Sequence, residues 1–266
     1  MNQKTSIKKA AKKFDLLTYE LKKGFEWTTQ HSKFTIVTSL IFIGVGLTYS
    51  VFQYYSDKQE TEVQEQYFKV EREFLKKKDL FDRYEATSKQ ANEKPKDKKN
   101  KTKTQPQKIE GEKASGDFEK DYGFAANAFS DLILKNPNSK AAMMSALNLS
   151  EVQIKYKKDD EALALLNKIK TNRDVLSAMI LIQKGTTQAN LKDCKSAVDT
   201  WGQVLQMKTA QFMHADIRLR QAICFENLND SVKAEESYNK VIAEVKDGAV
   251  AKTAEKYLRL LKAKAN

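Results

Sequence analysis

Histidine is scarce in this sequence, which contains only His31 and His214. His31 comes just before an apolar segment, so the rest of the chain has too few histidines for a His-based metal site or a catalytic triad. The chain also lacks the GxSxG, P-loop and HExxH motifs. We therefore predict a protein that is not an enzyme and that binds no cofactor or metal.

Proline is also rare: there are three in the chain, and two of them lie in the Lys-rich segment 91–117. This segment has almost no apolar side chains, so burial cannot offset the entropy lost on ordering it. We interpret residues 91–117 as a flexible linker whose lysines are solvated rather than lipid-bound.

The formal net charge of +12 first suggests a nucleic-acid partner. The charge is dispersed, however, because residues 1–33 hold eight lysines and residues 91–117 hold another eight. Proteins that bind nucleic acid concentrate basic residues on one folded surface, with aromatic or recognition-helix residues among them. We see no such element and expect no nucleic-acid binding.

One long apolar segment, residues 34–56, carries no charged residue over 23 positions. A helix of that length would measure roughly 35 Å, enough to cross a bilayer core of about 30 Å with some tilt. Aromatic residues lie near both of its ends, as in helices anchored at two headgroup layers. We predict a transmembrane helix here; the alternative is a helix buried in a soluble core.

The charges on either side of this segment predict its orientation. Lysines precede it and acids follow it, and the positive-inside rule then places the N-terminus in the cytoplasm. Residues 1–33 would be a basic cytoplasmic tail, and the segment an uncleaved anchor rather than a cleaved signal peptide. The nearest charges are Lys22, Lys23 and Lys33 before the segment and Asp57, Glu60, Glu62 and Glu65 after it.

After the apolar segment, residues 57–90 predict a membrane-proximal helix with one apolar stripe. Apolar residues recur there at alternating steps of four and three, interrupted by Lys77. The stripe would either pair with a second copy as a short coiled coil, giving a homodimer, or pack on the C-terminal domain. Its members are Val63, Tyr67, Val70, Phe74, Phe81 and Tyr84.

From residue 118 onward the sequence repeats. Four alanines, separated by 37, 35 and 37 positions, each lie four residues before a large side chain. This periodicity indicates helix-turn-helix repeats, with the large residue packed between neighbouring pairs. The pairs are Ala125–Phe129, Ala162–Leu166, Ala197–Trp201 and Ala234–Tyr238.

This pattern, above all KGTTQANLKDCKSAVDTWGQVL at 184–205, resembles the tetratricopeptide repeat (TPR) family. The resemblance covers 118–247 as about three repeats with a leading half, and it makes 249–264 a capping helix. Together with the predicted transmembrane helix, it gives an all-α chain: one N-terminal transmembrane helix followed by a TPR-like helical-repeat solenoid over 118–266.

The succession of basic tail, single span, connecting helix and degenerate repeats is similar to the ancillary SecYEG translocon subunit (YfgM-like) family. That resemblance implies a single-pass protein of the bacterial inner membrane. Its periplasmic repeats would bind translocon subunits, periplasmic chaperones or unfolded client chains. Two alternatives remain open: a self-associating envelope scaffold or assembly factor, and an organellar import receptor whose repeats face the cytosol.

The first helix of each repeat supplies the predicted partner-binding groove. Its inward-facing positions lie at fixed distances before the alanine of the second helix, and they carry mostly aliphatic side chains. Such a surface is unsuited to binding a peptide's terminal carboxylate and is suited to an adaptable apolar contact. The alternative is that these side chains pack on neighbouring helices. The groove residues are Met144, Leu147, Glu151, Ile154, Met179, Ile182, Thr186, Leu219, Ile223 and Glu226.

The chain has two cysteines, Cys194 and Cys224, on elements that neighbour each other in such a solenoid. If the repeats are extracytoplasmic, an oxidising compartment permits a disulfide between them. Two small buried thiols are the alternative, and the sequence does not decide between these states.

Overall fold

A computed structural model describes Thr18, Lys22, Trp27 and residues 31–92 and 109–265. Most of the predicted cytoplasmic tail, and residues 93–108 of the predicted linker, lie outside the described residues. Within those limits all regular secondary structure is helical and there is no strand. It divides into two compact units, Met1–Gln59 and Glu60–Asn266.

The first helix, α1, runs without interruption over Ser32–Asn92. It contains no proline, and its two glycines both lie in the apolar part. There the hydroxyl of Thr38 donates to the carbonyl of Phe34 at 2.9 Å and that of Thr48 to the carbonyl of Gly44 at 3.0 Å, so these polar groups are satisfied within the helix. The apolar part has the length and hydropathy of a membrane-crossing helix, and it is not buried against other described residues.

In the described part of the second unit, eight further α-helices and one 3₁₀ helix accompany residues 60–92 of α1. They are α2 Phe118–Lys135, α3 Lys140–Lys155, α4 Asp159–Leu166, α5 Val175–Asn190, α6 Cys194–Leu205, the 3₁₀ helix Lys208–Met213, α7 His214–Asn227, α8 Ser231–Glu244 and α9 Ala249–Ala265.

The turns inside the successive helix pairs α3–α4, α5–α6 and α7–α8 share one geometry. Each has a non-glycine residue with positive φ, and the next N–H donates to a carbonyl five residues upstream, which caps the first helix of the pair. These residues are Lys157 (φ 62°), Lys192 (φ 67°) and Asn229 (φ 60°), and the bonds run from Lys158 to Gln153, Asp193 to Gln188 and Asp230 to Phe225 at 2.8, 2.9 and 2.9 Å.

The alanines and large residues that define the repeat lie in the interior. All four alanines are at most 1% exposed, and their large partners at most 2%. Gly185 is required for this packing, because a Cβ there would collide with the indole of Trp201. The Trp201 Nε1–H in turn donates to the carbonyl of Ile182 at 3.2 Å. The all-helical repeat fold predicted from the sequence is therefore confirmed.

The apolar stripe of α1 packs on the repeats. Val63, Tyr67, Phe74 and Phe81 are each at most 5% exposed and share a core with side chains of α2 and α3, among them Phe129. Val70 is partly buried against the same core. Of the two alternatives for this stripe, the coiled coil with a second copy is wrong, because these faces are already covered within one chain.

Within the second unit, α1 lies beside α3 and runs parallel to it. The Lys140 N–H donates to Glu60 at 3.0 Å, and further along both helices the Lys155 ammonium pairs with Asp82 at 3.0 Å. First helices of successive repeats are arranged in the same way in a solenoid. Residues 60–92 of α1 thus form the first helix of a leading pair whose second helix is α2.

Residues 109–117, the described end of the predicted linker, lie along α1. The Glu112 N–H donates to the carbonyl of Leu80 at 3.0 Å, and that of Glu110 donates to the Thr87 hydroxyl at 3.2 Å. Gly111, with φ of +101°, approaches the α1 backbone too closely for any Cβ. The chain therefore rejoins α1 before α2 begins.

Candidate functional site

A cleft of about 440 Å³ opens where α1, α3 and α5 meet. This volume lies within the usual range of roughly 300–1,000 Å³ for ligand sites. Most of the lining is apolar, with two side-chain amides and one carboxylate. The lining residues are Tyr67, Met144, Leu147, Asn148, Glu151, Leu176, Met179 and Gln183.

Helical spacing explains why these residues share one surface. On α3 the contributing positions 144, 147, 148 and 151 follow steps of three, one and three, and on α5 the positions 176, 179 and 183 follow steps of three and four. Steps of three and four place side chains on one face of a helix. Because α3 and α5 are first helices of successive repeats, their corresponding faces adjoin.

Four of the predicted groove residues meet in this cleft: Met144, Leu147, Glu151 and Met179. Met179 is 43% exposed, so its thioether is available to a partner. The unbranched side chains of the two methionines can adapt to irregular apolar surfaces. These four residues lie where the sequence placed the groove; whether they bind a partner stays a prediction.

The other predicted groove residues do not line the cleft. Leu219 is only 8% exposed and belongs to the core of α7, α8 and α9, so its assignment to an open groove is wrong. Ile182 packs partly buried against the core of α5, α6 and α7. Ile154 is half-buried elsewhere on α3, and Ile223 is 37% exposed on α7.

Two polar groove candidates are held by neighbouring side chains. The Thr186 hydroxyl donates to the carbonyl of Ile182 at 2.9 Å and accepts from the guanidinium of Arg220 at 3.2 Å. The Glu226 carboxylate accepts a hydrogen bond from the hydroxyl of Tyr238. Both groups therefore have structural partners on α5, α7 and α8.

Sequence reasoning missed half of the cleft lining: Tyr67, Asn148, Leu176 and Gln183. Asn148 directly follows Leu147 and Gln183 directly follows Ile182, both of which were predicted, so a wider helical arc would have included them. Tyr67 was recognised only as part of the apolar stripe. Its place in the cleft depends on α1 lying beside α3.

The polar groups of the cleft form two connected sets. The Glu151 carboxylate pairs with the ammonium of Lys78 on α1 at 2.6 Å. The Tyr67 hydroxyl donates to the Glu71 carboxylate and accepts from the Asn148 amide at 2.9 Å. Burial raises the pKa of the Tyr67 phenol above its ordinary value, and the bond to Glu71 raises it further, so the phenol remains protonated and continues to donate.

Away from the cleft, Cys194 at the start of α6 and Cys224 in α7 are joined by a disulfide. Their Cα atoms are 5.1 Å apart, and both side chains are buried. The bond links the pair α5–α6 to the pair α7–α8.

No cluster of three or more His, Cys, Asp or Glu side chains suited to a metal ion occurs in the part of the chain that the structure describes. His214 contacts main-chain carbonyl oxygens instead, those of Val204 at 3.1 Å and Met207 at 3.2 Å. Its ring therefore contributes to the connection between α6 and α7.

Comparison with protein families agrees with this geometry. The model for a tetratricopeptide repeat-like domain matches residues 26–211, well over half of the chain, and the model for a tetratricopeptide repeat matches residues 216–247. The chain belongs to the tetratricopeptide repeat-like family. TPR repeats are protein–protein interaction modules, and proteins built from them are generally not enzymes.

Comparison with curated protein sequences gives no match. Among solved structures, the chain is similar to a tetratricopeptide repeat protein from Parabacteroides merdae, with 17% identity and a TM-score of 0.44 over 55% of this chain and 56% of that one. The chain therefore spans little more than half the length of that protein. It is also similar to two crystal structures of MamA, each 20% identical, with TM-scores of 0.41 and 0.42. These alignments cover 56% and 57% of this chain and 82% and 91% of the two MamA chains.

Proposed function

We propose that this protein is a membrane-anchored, non-enzymatic interaction module of the bacterial cell envelope. Its N-terminus would lie in the cytoplasm and its repeats in the periplasm, with residues 34–56 of α1 crossing the inner membrane. The uncharged, solvent-exposed apolar surface of this segment and the lysines that precede it support this topology.

The Cys194–Cys224 disulfide also favours this location. Disulfides persist in the periplasm, whereas cytosolic thiols are kept reduced. An organellar import receptor with repeats in the cytosol would hold the same pair under reducing conditions. A self-associating scaffold loses its proposed contact, because the α1 stripe is buried on the chain's own repeats.

The location can be tested on the two cysteines, which are the only ones in the chain. Cells quenched in acid and denatured would be treated with a maleimide polymer, with and without prior reduction, and the mobility of the protein measured. If the repeats lie in the periplasm, we expect no cysteine to be modified without reductant and both cysteines to be modified after reduction. Two free thiols before reduction would contradict the proposed compartment.

For the partner, we propose translocon subunits, periplasmic chaperones or unfolded client chains, as the resemblance to the ancillary SecYEG translocon subunit (YfgM-like) family implies. The observation that carries the binding role is the apolar cleft, whose Met179 is 43% exposed. An open apolar cleft of this size leaves apolar surface in contact with water, and a partner that covers this surface gains the free energy of its burial.

A photo-crosslinking amino acid at position 179 tests this role in native membranes. We expect it to capture a defined set of proteins, identified by mass spectrometry, among them translocon subunits or chaperones. The matched control carries the same amino acid at Val232, which is 79% exposed but lies on α8 away from the cleft. Identical products from both positions, or none from position 179, would refute the proposal.

A further inference from the structure

The connections between successive helix pairs lie together at one edge of the repeats. The first helices of the pairs are parallel in a solenoid of this kind, so the residues that precede α3, α5 and α7 lie at the same end. Their contacts are continuous: Ile169 shares a core with Ile133 of α2, and the Thr209 hydroxyl donates to the carbonyl of Arg173 at 2.9 Å. We call these connections the loop edge, which comprises residues 134–140, 167–175 and 206–213.

The loop edge begins close to the end of the apolar segment. The Lys140 N–H donates to Glu60 at 3.0 Å, which ties the connection before α3 to the start of the second unit. Only four positions lead from Ser56, the last residue of the apolar segment, to Glu60. Four residues span at most roughly 14 Å even when fully extended. If residues 34–56 cross a membrane, chain length alone therefore holds this end of the loop edge near the membrane surface.

Charge distinguishes the loop edge from the opposite edge. Its three segments carry six basic residues and one acid, Asp174, whose carboxylate caps α5 by accepting from the Ser177 N–H at 2.7 Å. Lys135 pairs with Asp131 at 3.2 Å. The turns at the opposite edge, residues 156–159, 191–194 and 228–231, carry three basic residues and three acids. The other basic side chains of the loop edge, which form no ion pair among the described residues, are Lys140, Lys168, Lys170, Arg173 and Lys208.

Exposed apolar side chains accompany these charges. Phe212 is 73% exposed in the 3₁₀ helix, Leu134 is 67% exposed at the end of α2, and Val175 is 39% exposed at the start of α5. Lys208 lies four positions before Phe212, and Lys135 directly follows Leu134. Basic and apolar side chains combine in this way at membrane surfaces, where the cation lies near lipid phosphate and the apolar group among the headgroups and upper acyl chains.

We propose that the loop edge binds the surface of the membrane in which the chain is anchored. Its lysines and Arg173 are attracted to anionic lipid headgroups, and Phe212 inserts shallowly between them. The proposal rests on the membrane anchor of the proposed function and adds a second membrane contact to it. Glu60 and Glu62 oppose the attraction at the α1 end, but the basic residues extend along three connections. Because the anchor raises the effective concentration of the lipid surface, individually weak contacts are sufficient.

Photo-crosslinking to lipid tests this proposal on the full chain. Benzoylphenylalanine replaces Phe212, and the protein is reconstituted into vesicles of pure phosphatidylcholine or of equal parts phosphatidylcholine and phosphatidylglycerol. Mass spectrometry after irradiation measures the fraction of protein joined to lipid. The matched control carries benzoylphenylalanine at Val232, which is 79% exposed on α8 at the opposite edge. We expect lipid products at position 212 in the anionic vesicles, and about fivefold fewer at position 232 or in pure phosphatidylcholine.

Charge reversal tests the electrostatic attraction. The loop-edge variant should reduce the lipid products at position 212 about tenfold, because three attractions become repulsions, and high salt should reduce them in the wild-type charge background. The opposite-edge variant should leave them unchanged, and circular dichroism melting curves confirm that both variants are folded. The loop-edge variant is Lys168→Glu, Lys170→Glu and Arg173→Glu, and the opposite-edge control is Lys157→Glu, Lys192→Glu and Lys195→Glu, all at exposed residues.

Equal lipid products at positions 212 and 232, or in the two kinds of vesicle, would overturn the proposal. Protein products without lipid products from position 212 in native membranes would also overturn it and would indicate an acidic protein surface instead. The proposed function fails by a different result, release of the wild-type chain from the vesicles by an alkaline wash, which would remove this proposal as well. A chain that stays in the vesicles and gives no lipid product at position 212 refutes the loop-edge proposal alone.

Discussion

Replacing Phe74 by Ala tests whether α1 is an integral part of the repeat domain. The Phe74 side chain is fully buried, and its ring centroid lies 5.5 Å from those of both Tyr122 and Phe129 on α2. Truncating a buried Phe costs about 3–5 kcal/mol, of which each aromatic pair contributes about 0.5–1.5 kcal/mol. For a domain of this size, the melting temperature should fall by about 6–20 °C.

Phe68→Ala is the matched control on the same helix. Phe68 is 50% exposed, and its ring contact in the described structure is with the neighbouring Tyr67. We expect a loss below about 1 kcal/mol for this exposed site. Both variants would be measured as full chains in the same detergent, with far-UV circular dichroism recorded during heating.

Two outcomes would refute this reasoning. Equal melting temperatures for the Phe74 and Phe68 variants would mean that α1 does not pack on the repeats. Dissociation of an oligomer by Phe74→Ala, at an unchanged melting temperature, would mean that the stripe pairs two copies instead. Size-exclusion chromatography with light scattering on the same samples detects the second case.

Two further changes test particular contacts of the repeats. Gly185→Ala should lower the free energy of unfolding by about 1–3 kcal/mol, measured by thermal unfolding, because the added Cβ meets the indole of Trp201. The control is Gly202→Ala, whose Cβ would have its nearest neighbour at 4.0 Å and should cause no loss of stability. Equal effects of the two substitutions would contradict the packing of Gly185 against Trp201. Burial raises the pKa of Asp121, but hydrogen bonds from Tyr156, Ser115 and Gly116 lower it to a net value below the ordinary one. The carboxylate therefore stabilises the fold near neutral pH, and this stabilisation is lost as the pH falls through the folded pKa. Asp121→Asn should lower the free energy of unfolding in urea by about 1–3 kcal/mol near neutral pH. A difference between variant and wild type that stays the same at a pH well below about 4 would contradict this role of the carboxylate.

The repeat fold could be predicted because its signals are local. An alanine followed four positions later by a large residue places both on the buried face of one helix, as Ala197 and Trp201 show. Gly185, twelve positions earlier, marks the close crossing of the paired helix. These relations lie within one repeat, so they survive divergence elsewhere in the chain.

The groove was harder to predict, because helical offsets fix a face only approximately. Leu147, Ile182 and Leu219 share one offset, yet the first lines the cleft, the second is half-buried and the third is core. This position lies at the edge of the groove face, and the neighbouring helices decide its exposure. Leu219 is covered because α7 packs with both α8 and α9.

Packing of α1 on the repeats was one of two alternatives from the sequence, but its role as the first helix of the leading pair was not predicted, because its partner helix is distant in sequence. In the other pairs a short turn joins the two helices, but 25 positions separate Asn92 at the end of α1 from Asp117 before α2. The stripe also uses Tyr and Phe where the other first helices use Ala, Ser and Gly. A search for the repeat period therefore finds only α2, the second helix of the leading pair. Its first helix, residues 60–92 of α1, is identified by its packing in the structure.

The same helix links folding to the cleft. The Tyr67 ring belongs to the core with Phe129, while its hydroxyl holds Asn148 at the cleft. An occupant of the cleft contacts α1, α3 and α5 together and requires α1 to be docked. By linkage, a partner at a hundred times its Kd stabilises the docked state by about 2.7 kcal/mol. This free energy is close to the cost of one cavity in the core, so a bound partner can offset a destabilised contact between α1 and α2. Conversely, undocking of α1 removes one wall of the cleft and with it the binding site.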